Sequence, residues 1–288
     1  MKKQKLIENI THALFLILGL VTVGAVLLIT IYLIISGIPA IKQIGLIKFL
    51  FGKEWRSTGQ NPQFGILPFI LTSVYGTAGA IVLGTPIAFF TAVYLSKFAP
   101  PKVRSVMETA VSLLAGIPSV VYGLVGMLVL VPSISRIFNL SDGASLLAAI
   151  IVLAIMVLPS IIKVSLNALD SVPKEYEEAS LALGATPTET YFKVSIKAAR
   201  SGITAAIVLG VGRAIGEAMA VMMVSGNAPN MPELFGSVRF LTTAVASEMS
   251  YAAGLQRQAL FSIALVLFVF VMLINALINL VFKRSKEN

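Results

Sequence analysis

The chain contains no cysteine. Disulfides, thiolate metal sites and cysteine nucleophiles are thereby excluded, and the redox compartment leaves no mark. A single histidine, His12, argues against histidine metal sites as well. Charge is scarce too: 12% of the 288 residues are Asp, Glu, Lys or Arg while 57% are hydrophobic. No Gly-x-x-x-x-Gly-Lys-Ser/Thr run occurs, so a phosphate-cradling loop is missing and ATP hydrolysis by this chain is not expected. Nor is there a cluster of His, Asp or Ser near one end of an apolar run, as a membrane-embedded enzyme would need.

What is abundant is apolar surface, far more than a soluble core of this size hides, with a mean hydropathy of +0.92. A bilayer is the natural solvent. The net charge of +9 does not indicate nucleic acid, because the basic residues sit in short clusters between apolar runs, where they set membrane orientation. Runs long enough to cross about 30 Å of hydrocarbon lie near Ala13 to Ile35, Leu67 to Leu95, Val106 to Val131, Ala144 to Leu166, Gly202 to Ser225 and Ala259 to Phe282. The first follows Lys2, Lys3 and Lys5 but is too long for a signal-peptide core of about 7–15 residues, so an uncleaved span is expected. The runs are continuously apolar, without the alternation of barrel strands. The fold class is therefore all-α, a polytopic bundle of about six spans. Pro86, Pro118 and Pro159 fall inside spans, where kinks rather than breaks are expected.

The expected organisation is an N-terminus with the first span (1–36), an outer loop (37–66), a core of five spans (67–282) that includes a loop at 167–200, and a short tail (283–288). Lys and Arg concentrate on the side that holds both termini and the 167–200 loop, which makes that side cytoplasmic. Lys42, Lys48, Lys53 and Arg56 in the first outer loop run against this bias, with Glu54 the nearby acid. Their field would concentrate anions, or the loop is simply solvated. Trp55, beside Phe49, Leu50 and Phe51, reads as an interfacial anchor, with direct solute contact the alternative.

Two ionisable groups stand in the fifth span, Arg213 and Glu217, within Gly212-Arg213-Ala214-Ile215-Gly216-Glu217. An arginine at mid-membrane costs about 2.5–3.5 kcal/mol on insertion scales, so such groups face a cavity or a partner. Four residues apart on one helix, the two are expected to pair. A guanidinium fork suits a tetrahedral oxyanion, and the carboxylate would hold the arginine between binding events. The alternative is a permanent ion pair that locks helices. Gly212, Gly216 and Ala220 form a small-residue face suited to close helix packing, or to backbone approach to an anion. Pro118 and Tyr122 either pack or shape a path.

The 167–200 loop reads as helix, turn, helix around Gly184-Ala185-Thr186-Pro187. Within it, Glu178-Ala179-Ser180-Leu181-Ala182-Leu183-Gly184 followed by Val194-Ser195-Ile196 resembles the coupling loop of ABC-importer permeases. Ser180 stands where that pattern has alanine and Lys197 where it has proline, which blurs the end of the motif. Further stretches resemble the PstC family of phosphate-importer permeases over nearly the whole chain: Phe51-Gly52-Lys53-Glu54-Trp55, Phe64-Gly65-Ile66-Leu67-Pro68-Phe69-Ile70, Ala115-Gly116-Ile117-Pro118-Ser119, and Gly212 to Ala220.

The resemblance implies a type I ABC-importer permease fold and several partners: a second, PstA-like permease, a PstB-like ATPase dimer carrying ATP and Mg, and an extracytoplasmic PstS-like phosphate-binding protein. It implies a bacterial or archaeal cytoplasmic membrane and no cofactor in this chain. It gives Glu177, Glu178, Ala179, Gly184, Ala185 and Thr186 to ATPase coupling, Trp55 and Arg56 to binding-protein docking, and Arg213, Glu217, Gly212 and Gly216 to the solute pathway. Without it, an importer of another oxyanion or small solute, and a proton-coupled transporter using Arg213 and Glu217 as a relay, both stay open.

Overall fold

The computed structural model describes residues 2–287, with side chains described outside 2–4, 6–7 and 278–287. Lys2, Lys3, Lys283, Arg284 and Lys286, which weigh in the charge bias, lie outside the described side chains. Helices dominate. Those that open and close the chain are α1 (Lys2–Ile44) and α14 (Gly254–Glu287); they pack on each other where Gly37 backs onto Ser262, whose hydroxyl donates to the Gly37 carbonyl at 2.6 Å. The first helix thus runs past the expected end of its span to Ile44, where Gly45 turns the chain with φ 90°. A short helix α2 (Leu46–Phe51) and a two-stranded hairpin of β1 (Trp55–Arg56) and β2 (Gln63–Phe64) follow, with Trp55 opposite Phe64.

The centre is α7 (Leu146–Asp170), an apolar helix held between α3 (Leu67–Val93) and α11 (Arg200–Gly216). Ser145 starts it by accepting the Ala148 N–H, which satisfies one of the amides that a helix start leaves unpaired. Pro86 in α3 and Pro159 in α7 are carried without a break. Past α3 a wide turn, Tyr94–Phe98, leads to α4 (Pro101–Gly116).

At Pro118 the expectation of one continuous span fails. A residue before proline is pushed into extended backbone, and Ile117 obeys with φ −70° and ψ 128°. The chain restarts as α5 (Ser119–Val125), a wide turn at Gly126–Leu130 and α6 (Val131–Phe138), and it is Ser119–Phe138, not Val106 to Val131, that is long and apolar enough to cross. Tyr122 bridges the break by donating its hydroxyl to the Leu114 carbonyl at 2.7 Å.

Five described helices have the length and apolarity to cross a membrane, and a bent pair, Pro187–Ala198 with Arg200–Gly216 at 64°, makes a sixth if it is counted as one span. The expected fifth span, Gly202 to Ser225, is likewise divided. It ends at Gly216, and α12 (Met219–Val224) starts anew. Between α7 and α11 lie α8 (Lys174–Ala182), α9 (Pro187–Thr190), a wide turn at Tyr191–Ser195 and α10 (Ile196–Ala198); α13 (Leu241–Glu248) precedes α14.

The two ends of the bundle are distinct. The β-hairpin and α2 meet the start of α3, whereas Ser96 and Lys97 beyond its far end meet Asp170 and Glu177. The hairpin and the 171–199 segment therefore occupy opposite ends.

Candidate functional site

Arg213 lies in the last turn of α11 and Glu217 is the residue on which that helix ends, extended at φ −74° and ψ 127°. The expected pairing across one helix face is absent, because the face itself stops at Gly216. Instead Arg213 Nη1 donates to Ser160 Oγ on α7 at 2.9 Å. The Glu217 carboxylate turns forward and accepts the Ala220 N–H at 2.9 Å, while its backbone carbonyl accepts the Thr242 hydroxyl of α13 at 2.8 Å.

The break accounts for how two charges are tolerated inside an apolar bundle. A helix C-terminus carries partial negative charge and an N-terminus partial positive charge. Arg213 sits at the closing end of α11 and Glu217 at the opening of α12, so each charge meets the helix end of opposite sign. The bond to Ser160 uses one of the five N–H donors of the guanidinium. The side chain is half-buried, so the remaining donors lie in a partly open space.

Gly212 and Gly216 do not serve close packing within the chain. A Cβ built on either would meet nothing within 4 Å, and Gly216 is exposed. The close approach occurs one segment further on, where a Cβ on Gly123 of α5 would stand 2.8 Å from the Ala220 Cα of α12. Ala220 thus packs as expected, while the two glycines leave the flank beside Arg213 clear.

At the opposite end of α11, the 171–199 segment is a compact hairpin. Helix α8 closes with the Gly184 N–H on the Leu181 carbonyl and the Ala185 N–H on the Ser180 carbonyl, the paired bonds of a left-handed helix stop, and Gly184 has φ 87°. Thr186 then starts α9 in a reciprocal cap with Glu189, with Pro187 at the first helical position. The Ser180 and Thr190 hydroxyls join the two arms at 2.9 Å. Glu177 faces the body of the protein, paired with Lys97 and accepting the Ser195 hydroxyl at 2.9 Å. Burial raises its pKa, but the Lys97 ammonium and the Ser195 hydroxyl outweigh that and hold it below the ordinary carboxylate range. Glu178 and Ala179 are exposed, and at the tip Leu183 is 90% exposed beside Gly184. Asp170, at the end of α7, accepts from Ser96 at 2.8 Å and pairs with Arg104, which ties the hairpin's base to α3 and α4.

The interfacial reading of Trp55 is corrected by its surroundings. The side chain is 6% exposed, packed edge-on against Phe64 with ring centroids 5.4 Å apart, and its Nε1 donates to Glu248 at 3.2 Å. Burial followed because an indole with a hydrogen-bond partner loses its reason to stay at the water boundary. Only Arg56 of the proposed docking pair is exposed, 3.7 Å from Glu54.

Sequence reasoning missed Ser160, Thr242, Arg239 and Glu248. A serine following a proline in an apolar run is a faint signal. Glu248 sits in a polar stretch that looks like an ordinary loop, and nothing in spacing relates it to Trp55, 193 positions earlier.

Residues 84–287 match the family of binding-protein-dependent transport system inner membrane components. The chain is 38% identical to the probable ABC transporter permease protein YqgH of Bacillus subtilis, over 93% of this chain and 88% of that one. It is 33% identical to the phosphate transport system permease protein PstC of Haemophilus influenzae, over 96% and 92%. Its fold resembles a chain of a bacterial alginate ABC transporter with a TM-score of 0.62 at 17% identity, covering 95% of this chain and 94% of that one. With its apolar crossings, its projecting hairpin and a family match over most of its length, the chain belongs to the inner membrane components of binding-protein-dependent transport systems, the permeases of ABC transporters.

Proposed function

We propose that the chain is one permease half of an ATP-driven importer of inorganic phosphate. The observation that carries this reading is Arg213, parked on an uncharged hydroxyl at a helix break with donors to spare. Interrupted membrane helices gather charged groups and helix ends where a solute is handled. A guanidinium there offers a tetrahedral oxyanion two parallel hydrogen bonds, and the solute needs only to displace Ser160 rather than a carboxylate. Relatives named for phosphate transport support the choice of oxyanion. Glu217 holds the geometry of the break, and Gly212 and Gly216 keep the flank clear for the solute and the second permease.

An ABC permease works with an ATPase and a substrate-binding protein. In this reading they are a PstB-like dimer that supplies ATP and Mg, a PstS-like phosphate carrier and a PstA-like second permease. The hairpin of α8 to α10 is the ATPase contact, with Leu183 at its tip and Glu178, Ala179, Ala185 and Thr186 around it. That end, together with both termini, faces the cytoplasm. ATPase closure pushes the hairpin; its ties through Glu177 and Asp170 pass the displacement to α3, α4 and α7, and the bundle exchanges access between the two membrane faces. The carrier docks at the opposite end of the bundle, beside the β-hairpin, where Arg56 is exposed.

The test is uptake by proteoliposomes holding the co-expressed complex, with ATP inside. Labelled phosphate should accumulate, with little competition from sulfate or molybdate. Accumulation of another oxyanion in its place would overturn the substrate, and proton-driven uptake without nucleotide would overturn the mechanism.

A further inference from the structure

The outer basic cluster that runs against the orientation bias belongs to a feature the transport reading leaves unused. No Asp, Glu, Lys or Arg lies between Glu8 and Lys42 in α1, and the apolar stretch from 13 to 41 is longer than about 30 Å of hydrocarbon at about 1.5 Å per residue. Lys42 is the first charged residue after that stretch. Gly45 then turns the chain, and α2 begins immediately.

Helix α2 is firmly placed. Phe49 is 0% exposed in the same cluster as Trp55, Phe64 and Phe69, the Phe49 carbonyl accepts the Ile66 N–H at 2.9 Å, and the Gly52 carbonyl accepts the Leu67 N–H at 3.1 Å. Burying Phe49 commits the opposite face outward: Ile47 is 76% exposed and Phe51 64%. Lys48 lies within α2, and Lys42 and Lys53 just before and after it; all three are exposed, while Arg56, the remaining basic residue of the loop, has Glu54 for company.

We propose that α2 is an anchor for anionic phospholipid in the outer leaflet: Ile47 and Phe51 enter the acyl boundary and the three lysines take phosphodiester headgroups. An amphipathic helix in the plane of the interface binds through apolar area plus attraction to anionic lipid. Lysine suits this task, since its point charge on a flexible stem reaches up to a headgroup layer while the stem lies on apolar surface. Free phosphate would satisfy the ammonium groups but offer nothing to Ile47 and Phe51. The site is separate from Arg213 and does not depend on which solute is carried.

The experiment is native mass spectrometry of the assembled complex titrated with phosphatidylglycerol or phosphatidylcholine. Phosphatidylglycerol should be retained in preference. Each lysine near an anionic surface is worth about fivefold, so Lys48→Gln should weaken retention about fivefold and the Lys42→Gln, Lys48→Gln, Lys53→Gln variant about a hundredfold. Ile47→Ser with Phe51→Ser should weaken retention of both lipids. All of these positions are exposed, and unchanged thermal unfolding confirms that the variants fold. Undiminished phosphatidylglycerol retention in the triple variant overturns the proposal. So does displacement of the lipid by inorganic phosphate, which would make this an ion site. Loss of binding-protein docking with lipid retention intact also overturns it and gives the face to that protein. Phosphate uptake by the same variants reports separately on the solute path.

Discussion

Arg239 and Glu248 meet at 2.5 Å between Nη1 and Oε1, with side chains only 15% and 8% exposed. The carboxylate also accepts from Trp55 Nε1, from the Ser57 hydroxyl at 3.3 Å and from Gln256 Nε2 at 3.0 Å. Arg239 in turn donates to the Asn227 carbonyl at 2.8 Å and lies over the Phe69 ring. One buried anion thus joins the first hairpin, the segment before α13, α13 itself and the start of α14. Breaking a buried pair from one side leaves the other charge uncompensated, at about 3–5 kcal/mol. Glu248→Ala should therefore lower the thermal unfolding temperature of the complex sharply. Replacing both partners by apolar residues should cost less than either single change, which a double-mutant cycle would show.

The reading of Arg213 separates three substitutions. Arg213→Gln should abolish phosphate uptake while the complex still assembles, and Arg213→Lys should recover little, because an ammonium lacks the planar fork. Ser160→Ala removes a hydrogen bond to a charged group, worth about 1.5–3 kcal/mol, and should alter KM for phosphate more than kcat. Normal uptake by Arg213→Gln would remove the residue from the path.

Glu217 accepts the Ala220 N–H at the start of α12, so its replacements should sort by shape rather than charge. Glu217→Gln keeps an oxygen for the Ala220 N–H and should unfold near the wild-type temperature, whereas Glu217→Ala should lose about 1 kcal/mol, the ordinary value of a cap. Thermal unfolding of the two variants side by side measures this.

In the hairpin of α8 to α10, Gly184→Val forces a branched side chain into left-handed backbone, at about 1–2 kcal/mol. Such a complex should hydrolyse ATP without accumulating phosphate. Leu183→Asp should instead detach the ATPase, read as its loss on copurification.

The same hairpin should loosen in acid. Glu189 is held down to about 2 by the Lys193 ammonium first, then by the Thr186 amide and hydroxyl. A depressed carboxylate stabilises the fold above its ordinary titration range, and that contribution fades as pH falls toward the lowered value. Glu177 is shifted in the same direction. Hydrogen exchange of the Thr186 and Glu189 amides should accelerate as pH is lowered toward about 2, after correction for intrinsic rates, and Glu189→Gln should remove that dependence.

Much of this architecture was legible because bilayer-spanning runs and helix stops are local properties. Gly184 announces its turn, and the acids, bases and cap around it follow within a few positions. The breaks were harder. Pro86, Pro118 and Pro159 look alike in apolar context, and only Pro118 divides a helix, where Tyr122 and the packing of Gly123 on Ala220 secure the second piece. Pairing Arg213 with Glu217 assumed a helix that continues, and no proline warned otherwise. Trp55 was misplaced for a different reason: its partner lies across the whole chain, and periodicity carries no information about such contacts.

That distance has a consequence for how the protein is made. Ribosomes deliver about 5–20 residues per second, so the 193 positions from Trp55 to Glu248 take roughly 10–40 s to appear. During that interval the hairpin's indole lacks its acceptor, and the first loop is an unfinished joint waiting for the end of the chain. Synthesis stopped before α13 would leave that joint open, with the Trp55 indole exposed to whatever else could accept its N–H.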